Sequence, residues 1–250
     1  MRLRAVLLSV AIMALAAPGF SQTPLIADLS EHQIQITTGF VGTDVLLFGT
    51  VAADSHVVVV VRGPEAEAAV WRKARYAGIW VNDQRVVFQR VPTFYAVRSS
   101  APLEEIATES TRMRHGMGAE FLRLRPTAED MQETSPQDIV VFREALIRNK
   151  TREGLFASEG EEITFLGGQL FRTRLHFPAN VPTGFYDVEV FMLQNGSVVH
   201  AQTTPLIVRK AGLGADVYFF AHDYAALYGV IAVLLAVSAG VIAAFVFRKN

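Results

Sequence analysis

Past the first thirty residues, the hydrophobic positions fall into short β-branched and aromatic runs separated by turn residues. Segments 33–38, 43–51 and 56–62 are predicted strands, divided by Gly39, Gly42 and the Ala53-Asp54-Ser55 stretch. Residues 57–61 are five consecutive valines, and a run apolar on both faces belongs to a central strand covered from two sides. Left exposed, such a run would aggregate. Segments 69–75 and 85–90 are predicted to be further strands. From Ser100 the pattern turns helical, with Ser100, Pro102, Glu104 and Glu105 supplying a capping residue, a proline and first-turn acids. A better start lies at Ser135-Pro136-Gln137-Asp138, with Ser135 as N-cap and Asp138 at the third helical position. It opens an amphipathic stretch, 139–150, where Ile139, Phe142 and Leu146 share a face, and Gly154 closes it. Strands return over 161–166 and 169–177 around Gly167-Gly168, and over 185–194 and 197–208 around Asn195-Gly196, the strongest short hairpin signal. In the third of these, Tyr186, Val188, Val190 and Met192 alternate with Asp187 and Glu189, so one face is covered and the other partly wet.

The two ends carry a different pattern. Met1-Arg2-Leu3-Arg4 precedes an uncharged run over 5–17, too short to cross about 30 Å of hydrocarbon, and small residues follow at Gly19 and Ser21. Residues 1–21 are predicted to be a cleaved secretory signal, with an N-terminal anchor as the alternative. Residues 225–247 hold no charge, and Arg248-Lys249-Asn250 follows. That span crosses a bilayer with some tilt, and the basic end favours the cytoplasmic side. Tyr218, Phe219, Phe220, Tyr224 and Tyr228 cluster at the outer boundary, where amphipathic rings prefer headgroup depth. The expected organisation is a signal peptide at 1–21, a periplasmic domain at 22–217, a transmembrane helix at 224–247 and a cytoplasmic tail at 248–250, in a bacterial inner membrane. The domain is expected to be mainly β, an immunoglobulin-like β-sandwich with a helical insertion at about 100–154. Two separate small sandwiches are the alternative, although the late strands alone are short of residues for a core.

Composition narrows the function classes. Without cysteine there is no disulfide, thiolate metal site, iron–sulfur cluster or cysteine nucleophile. A formal charge of −1 argues against a nucleic-acid binder. With Arg2, Arg4, Arg248 and Lys249 set aside, 19 basic residues stand against 24 acidic ones, so the exported part repels anionic headgroups on average. No hydrolase elbow, Walker loop, dinucleotide glycine pattern or zinc-protease helix occurs. The adjacent acids Glu104-Glu105 and Glu161-Glu162 point in different directions, which is poor geometry for acid–base chemistry. Neither an enzyme nor a cofactor is expected.

Several phrases match a known family in order. They are Ile36-Thr37-Thr38-Gly39-Phe40-Val41-Gly42-Thr43-Asp44 leading into Leu47-Phe48-Gly49, then Val59-Val60-Val61-Arg62-Gly63-Pro64, Gly78-Ile79-Trp80-Val81-Asn82 and Val91-Pro92-Thr93-Phe94-Tyr95-Ala96. Later come Phe142-Arg143-Glu144-Ala145-Leu146 and Pro178-Ala179-Asn180-Val181-Pro182-Thr183-Gly184. Together these resemble an uncharacterised family of alphaproteobacterial single-pass transmembrane proteins, over nearly the whole chain after the signal. The resemblance implies a topology and no activity. It also implies a genomic neighbour, a permease of the sulfite-exporter type, and hence an integral membrane transporter as partner.

Three groups of residues could carry chemistry. Met113, His115 and Met117 offer thioether and imidazole ligands of the kind that suit Cu(I), although Arg114 sits among them. The ordinary alternative is a loop at a helix edge. Arg62, Arg72 and Arg75 head a basic stretch with Lys73, Arg85, Arg90 and Arg98, where guanidinium forks could hold a sulfite-like or organic anion against a wall of Trp71, Tyr76 and Trp80. Its alternative is a solvated sheet face paired with the acidic insertion, whose residues 101–162 hold 13 acids and 8 bases. In the membrane span, Ala232, Ala236, Gly240 and Ala244 form a small-residue stripe on which a transporter helix or a second copy could pack. Ten of the 23 span residues are Ala, Gly or Ser, so a stripe also arises by chance. The expected function is that of a membrane-anchored periplasmic accessory or scaffold protein, with an anion-sensing domain and a copper-handling protein as alternatives.

Overall fold

A computed structural model describes residues 25–157, 163–212, 218 and 220–247. The predicted signal (1–21), the acidic pair Glu161-Glu162 and the basic tail (248–250) lie outside the described residues. The described residues form thirteen strands in three sheets, a group of short helices, and one long apolar helix at the C-terminal end.

The first two sheets face each other. One has the order β1 (Ile26–Leu29), β3 (Gly42–Thr50), β11 (Leu170–Pro178), β10 (Thr164–Leu166). The other runs β2 (Gln33–Ile36), β13 (Ser197–Lys210), β12 (Gly184–Gln194), β4 (His56–Arg62), β7 (Tyr95–Ser99), β9 (Phe156–Ala157). Most neighbours are antiparallel, but β2 joins β13 and β7 joins β9 in parallel. The core between the sheets is aromatic. The Phe177 ring lies 5.2 Å from that of Phe94 and 5.9 Å from that of Tyr186, bringing β11 of one sheet against β12 of the other. Early and late strands share both sheets, through β3–β11 and β4–β12, so two separate sandwiches do not form. Gly49 sits where there is no room for a side chain: a Cβ there would fall 2.3 Å from the Ile26 carbonyl oxygen and 2.7 Å from the Phe171 ring.

The valine run sits where its composition requires. β4 lies between β12 and β7, and Val57, Val58, Val59, Val60 and Val61 are each 0% exposed. Val58 and Val60 stand opposite Phe191 and Glu189, on the face away from the aromatic core. That outer face is covered by the chain between β7 and β9. Here α1 (Leu103–Ile106), α2 (Glu109–His115), a 3-10 turn (Ala119–Phe121), β8 (Arg125–Pro126), α3 (Ala128–Glu133) and α4 (Pro136–Arg152) follow in turn.

Helix α4 keeps the predicted ends. Ser135 Oγ accepts from the Asp138 amide at 3.1 Å. At the other end Gly154 (φ 73°) makes a Schellman closure, with Gly154 N donating to Thr151 O and Leu155 N to Lys150 O. Phe142 and Leu146 are buried, and Ile139 is half-buried. The earlier helix start is corrected: α1 has Pro102 as N-cap with no side-chain cap, because the Ser100 hydroxyl accepts from the Val57 amide instead. The largest departure lies between β4 and β7. Instead of two short strands, the chain makes a long hairpin, β5 (Glu65–Tyr76) and β6 (Ile79–Pro92), turning at Ala77 (φ 48°) and Gly78 (φ 86°) and joined by β8 in a third sheet. Strands β1 and β7 were not expected either.

Helix α5 (Ala225–Phe247) is apolar along its length, and residues 225–244 are long and apolar enough to cross a bilayer. Ala232, Ala236, Gly240 and Ala244 are all exposed on it.

The buried valine strand gives a direct check. Val59→Asp places a carboxylate where it has neither water nor a partner, at a cost of several kcal/mol out of roughly 5–15 for the whole fold. Thermal unfolding of the full chain in detergent micelles should show that the cooperative transition is lost. A transition like that of the native chain would remove β4 from the core.

Candidate functional site

A cleft of about 620 Å³ opens on the outer side of the six-stranded sheet, where the ends of β4 and β12 meet the root of the β5–β6 hairpin and the chain from Met113 to Arg125. Its floor comes from strand register. Arg62, the last residue of β4, stands opposite Asp187 of β12, and Glu189 lies two residues further along the same face. The Arg62 guanidinium pairs with the Glu189 carboxylate and donates a second hydrogen bond to the His115 carbonyl. Burial pulls the Arg62 guanidinium below its ordinary value, while Tyr95 and Asp187 pull it upward.

Beside it, Tyr95 of β7 clips the insertion to the sheet. Its hydroxyl donates to the Gly116 carbonyl (2.6 Å) and accepts from the Gly118 amide (2.8 Å). Burial raises its pKa well above the usual phenol range, so the hydroxyl stays protonated and remains a donor. Gly116 is needed twice over. It ends α2 in the left-handed conformation (φ 59°), and a Cβ would come within 3.0 Å of Arg62 Nη2. His115 packs its ring on Phe191 at 4.9 Å, and its pKa falls through desolvation, with Arg114 and Arg62 adding to the fall. From the other side, Arg143 of α4 donates to the carbonyls of Glu120 and Leu122, which ties down the loop leading into β8.

The rim is cationic. Arg90, in an unusual left-handed conformation (φ 53°), reaches Glu65 at 2.7 Å. Arg114, Arg123 and Arg125 are exposed, line the cleft, and have no carboxylate partner among the described residues. Together with Arg62 and Arg90 they outnumber the three lining acids, Glu65, Asp187 and Glu189.

The expected anion trio does not converge. Arg62 lines the cleft. Arg72 lies further out on β5, bonded to Asp138 at the start of α4 and stacked over Phe142 at 4.9 Å, while Arg75 Nε donates to the Gly78 carbonyl at the hairpin tip. The same bond to Arg72, with Ser135, holds Asp138 below the usual carboxylate range. Spacing along a twisted ribbon of this length separates these guanidinia. Trp71, Tyr76 and Trp80 are exposed on that hairpin and do not wall the cleft. The Met–His trio is split as well. Met113 and His115 line the cleft, but Met117 is 0% exposed within the core, so the three do not present a common ligand set. Among the described residues no group of three or more His, Asp or Glu side chains could hold a metal ion.

Arg123 and Arg125 were missed. Their signal was present in Leu122-Arg123-Leu124-Arg125, where two buried leucines alternate with two exposed arginines.

The model of the Alph_Pro_TM family, described as "Putative transmembrane protein", matches residues 24–249. The chain belongs to the Alph_Pro_TM family. That match contains the whole described fold, from β1 through α5, and so includes the one helix of spanning length among the described residues. Family and helix together make the Alph_Pro_TM chain a transmembrane protein with one candidate span, residues 225–244, among the described residues. No curated protein and no solved structure matches it.

The Tyr95 clip can be tested alone. Tyr95→Phe keeps the ring but leaves the Gly116 carbonyl and Gly118 amide unpaired in a buried place, which costs roughly 1–3 kcal/mol. Denaturant unfolding should show that loss with an unchanged slope. Unaltered stability would mean the insertion is held elsewhere.

Proposed function

We propose that this Alph_Pro_TM protein is a membrane-anchored adaptor: a non-enzymatic periplasmic domain that holds an acidic segment of a membrane partner in its arginine cleft. The observation that carries the reading is the trio Arg114, Arg123 and Arg125 around a cleft that already spends Arg62 and Arg90 on internal acids. Guanidinium forks recognise carboxylates in pairs, and three without internal partners suit a multivalent acidic ligand better than a single small ion. A transporter of the sulfite-exporter type is the partner that the family resemblance implies. In this reading residues 1–21 are removed as a signal, the basic tail stays in the cytoplasm, and the stripe of Ala232, Ala236, Gly240 and Ala244 gives the partner's helix a close approach. The domain is an immunoglobulin-like sandwich of the variable type. The orders β1-β3-β11-β10 and β2-β13-β12-β4-β7 favour this, since they follow the two-sheet plan with a first strand divided between the sheets.

A fluorescent oligo-glutamate peptide added to the full chain in detergent micelles tests the cleft. Binding should appear in anisotropy and weaken with salt. The double variant Arg123→Glu/Arg125→Glu should weaken it by about tenfold or more, as reversed charges face the ligand. Equal binding by the variant would refute the cleft as the site. Sulfite that competes at low concentration would instead favour an anion sensor.

A further inference from the structure

The outer half of the β5–β6 hairpin has no use in the cleft and no cover. Between Arg75 and Asp83 every residue is exposed, and Tyr76 (58%), Ile79 (68%), Trp80 (64%) and Val81 (39%) are large apolar groups held at one tip. The inner half is different. Val70, Val86 and Phe88 are buried, and the Arg72–Asp138 pair fixes β5 to α4. A two-stranded ribbon standing free in water is marginal by itself. Here the tip is kept in order by the Tyr76 hydroxyl, which donates to Asp83 at 2.9 Å, and by the Arg75 bond to Gly78.

The position of the hairpin's root bears on what the tip can reach. β4 ends at Arg62 opposite Asp187, near the start of β12, and Gly184 at that start pairs with Val208 of β13. Gly184 also lies against the hairpin's root, since a Cβ there would fall 2.7 Å from the Pro64 ring. β13 leaves the sheet two residues after Val208, at Lys210, and the membrane helix begins at Ala225. The hairpin therefore springs from the end of the sheet where the chain departs for the bilayer. Its strands of 12 and 14 residues extend roughly 40 Å at about 3.3 Å per residue. Residues 220–223 are already helical, so the connection over 211–219 can stretch no further than roughly 30 Å and the helical turn adds under about 10 Å. Ribbon and tether have matching reach.

The chemistry of the tip matches a lipid interface. Tyr and Trp prefer headgroup depth, and Ile79 and Val81 add apolar area for the acyl boundary. Lys73, Arg75 and Arg85 stand just behind them, with Asp83 as the one acid, so the tip is locally cationic although the domain as a whole is acidic. We propose that this hairpin is a second membrane contact, which dips Tyr76, Ile79, Trp80 and Val81 into the headgroup region of the bilayer that α5 crosses. The contact would fix the tilt of the domain over the membrane and leave α5 free to rotate against a partner.

The chain has two tryptophans, Trp71 and Trp80, and both lie on this hairpin, so its indole fluorescence reports on the ribbon alone. The test uses full-length Trp71→Phe, which leaves Trp80, reconstituted in phosphatidylcholine vesicles with and without phosphatidylglycerol. Trp80 emission should be blue-shifted, strongly quenched by lipids carrying a nitroxide near the headgroup, and shielded from aqueous iodide. The added anionic lipid should increase the lipid quenching, and Ile79→Ser/Val81→Ser should reverse most of it without changing thermal unfolding. Trp80 fully open to iodide and untouched by nitroxide lipid in both compositions would overturn the proposal. Shielding that appears only in native membranes, with photocrosslinks from residue 80 to protein and none to lipid, would overturn it as well, because the occupant would then be a protein.

Discussion

A strand of five valines has no wet side, and both halves of this structure answer that requirement. On the inner face β4 meets the aromatic layer in which Phe94, Phe177 and Tyr186 lock the two sheets together. On the outer face Val58 and Val60 need a lid, and the helical insertion supplies it. The sheets without the insertion would expose an apolar strand in mid-sheet, an aggregation hazard. The insertion without the sheet would have nothing to rest on, since its short helices bury few residues of their own.

The cleft follows from how that lid is fastened. To cover β4 the chain must cross the outer face and return beside β7, and it turns at Gly116, where a left-handed residue lets the backbone pass close above Arg62. The Tyr95 hydroxyl then satisfies one carbonyl and one amide of the turn. The same turn leaves Arg114 on the rim, and the buried leucines 122 and 124 push Arg123 and Arg125 outward. Structural demand thus produces a cationic rim as a consequence of covering valines. The proposed adaptor role uses that rim.

Local signals were legible where local chemistry decides. Ser135 with Asp138, Gly154, and Asn195-Gly196 each act within a few residues, and each takes the conformation its side chains favour. The valine run was legible because no other environment suits it. The hairpin's full length was hidden, because its turn places Ala77 where Asn or Asp would announce a positive φ. β7 was hidden for a different reason: Tyr95–Ser99 is a strand through its pairing with β4 and β9, partners far away in sequence. The candidate site was the least legible. Arg62, Arg72 and Arg75 do not form one cluster because the chain leaves the six-stranded sheet after Arg62 and carries the other two away on β5, while Arg114, Arg123 and Arg125 come to the rim from the insertion. Spatial convergence across a hairpin and an insertion has no periodicity to reveal it.

The central claim is that lid and sheets form one cooperative unit through β4. Native-state hydrogen exchange on the full chain in micelles tests this by comparing the Val59 amide in the strand with the Gly118 amide held by Tyr95. If lid and strand share one core, both amides exchange only through global unfolding, with equal opening free energies and equal sensitivity to denaturant. A Gly118 amide that exchanges through a small local opening, while Val59 stays protected to the global limit, would contradict the account and make the insertion an independent flap.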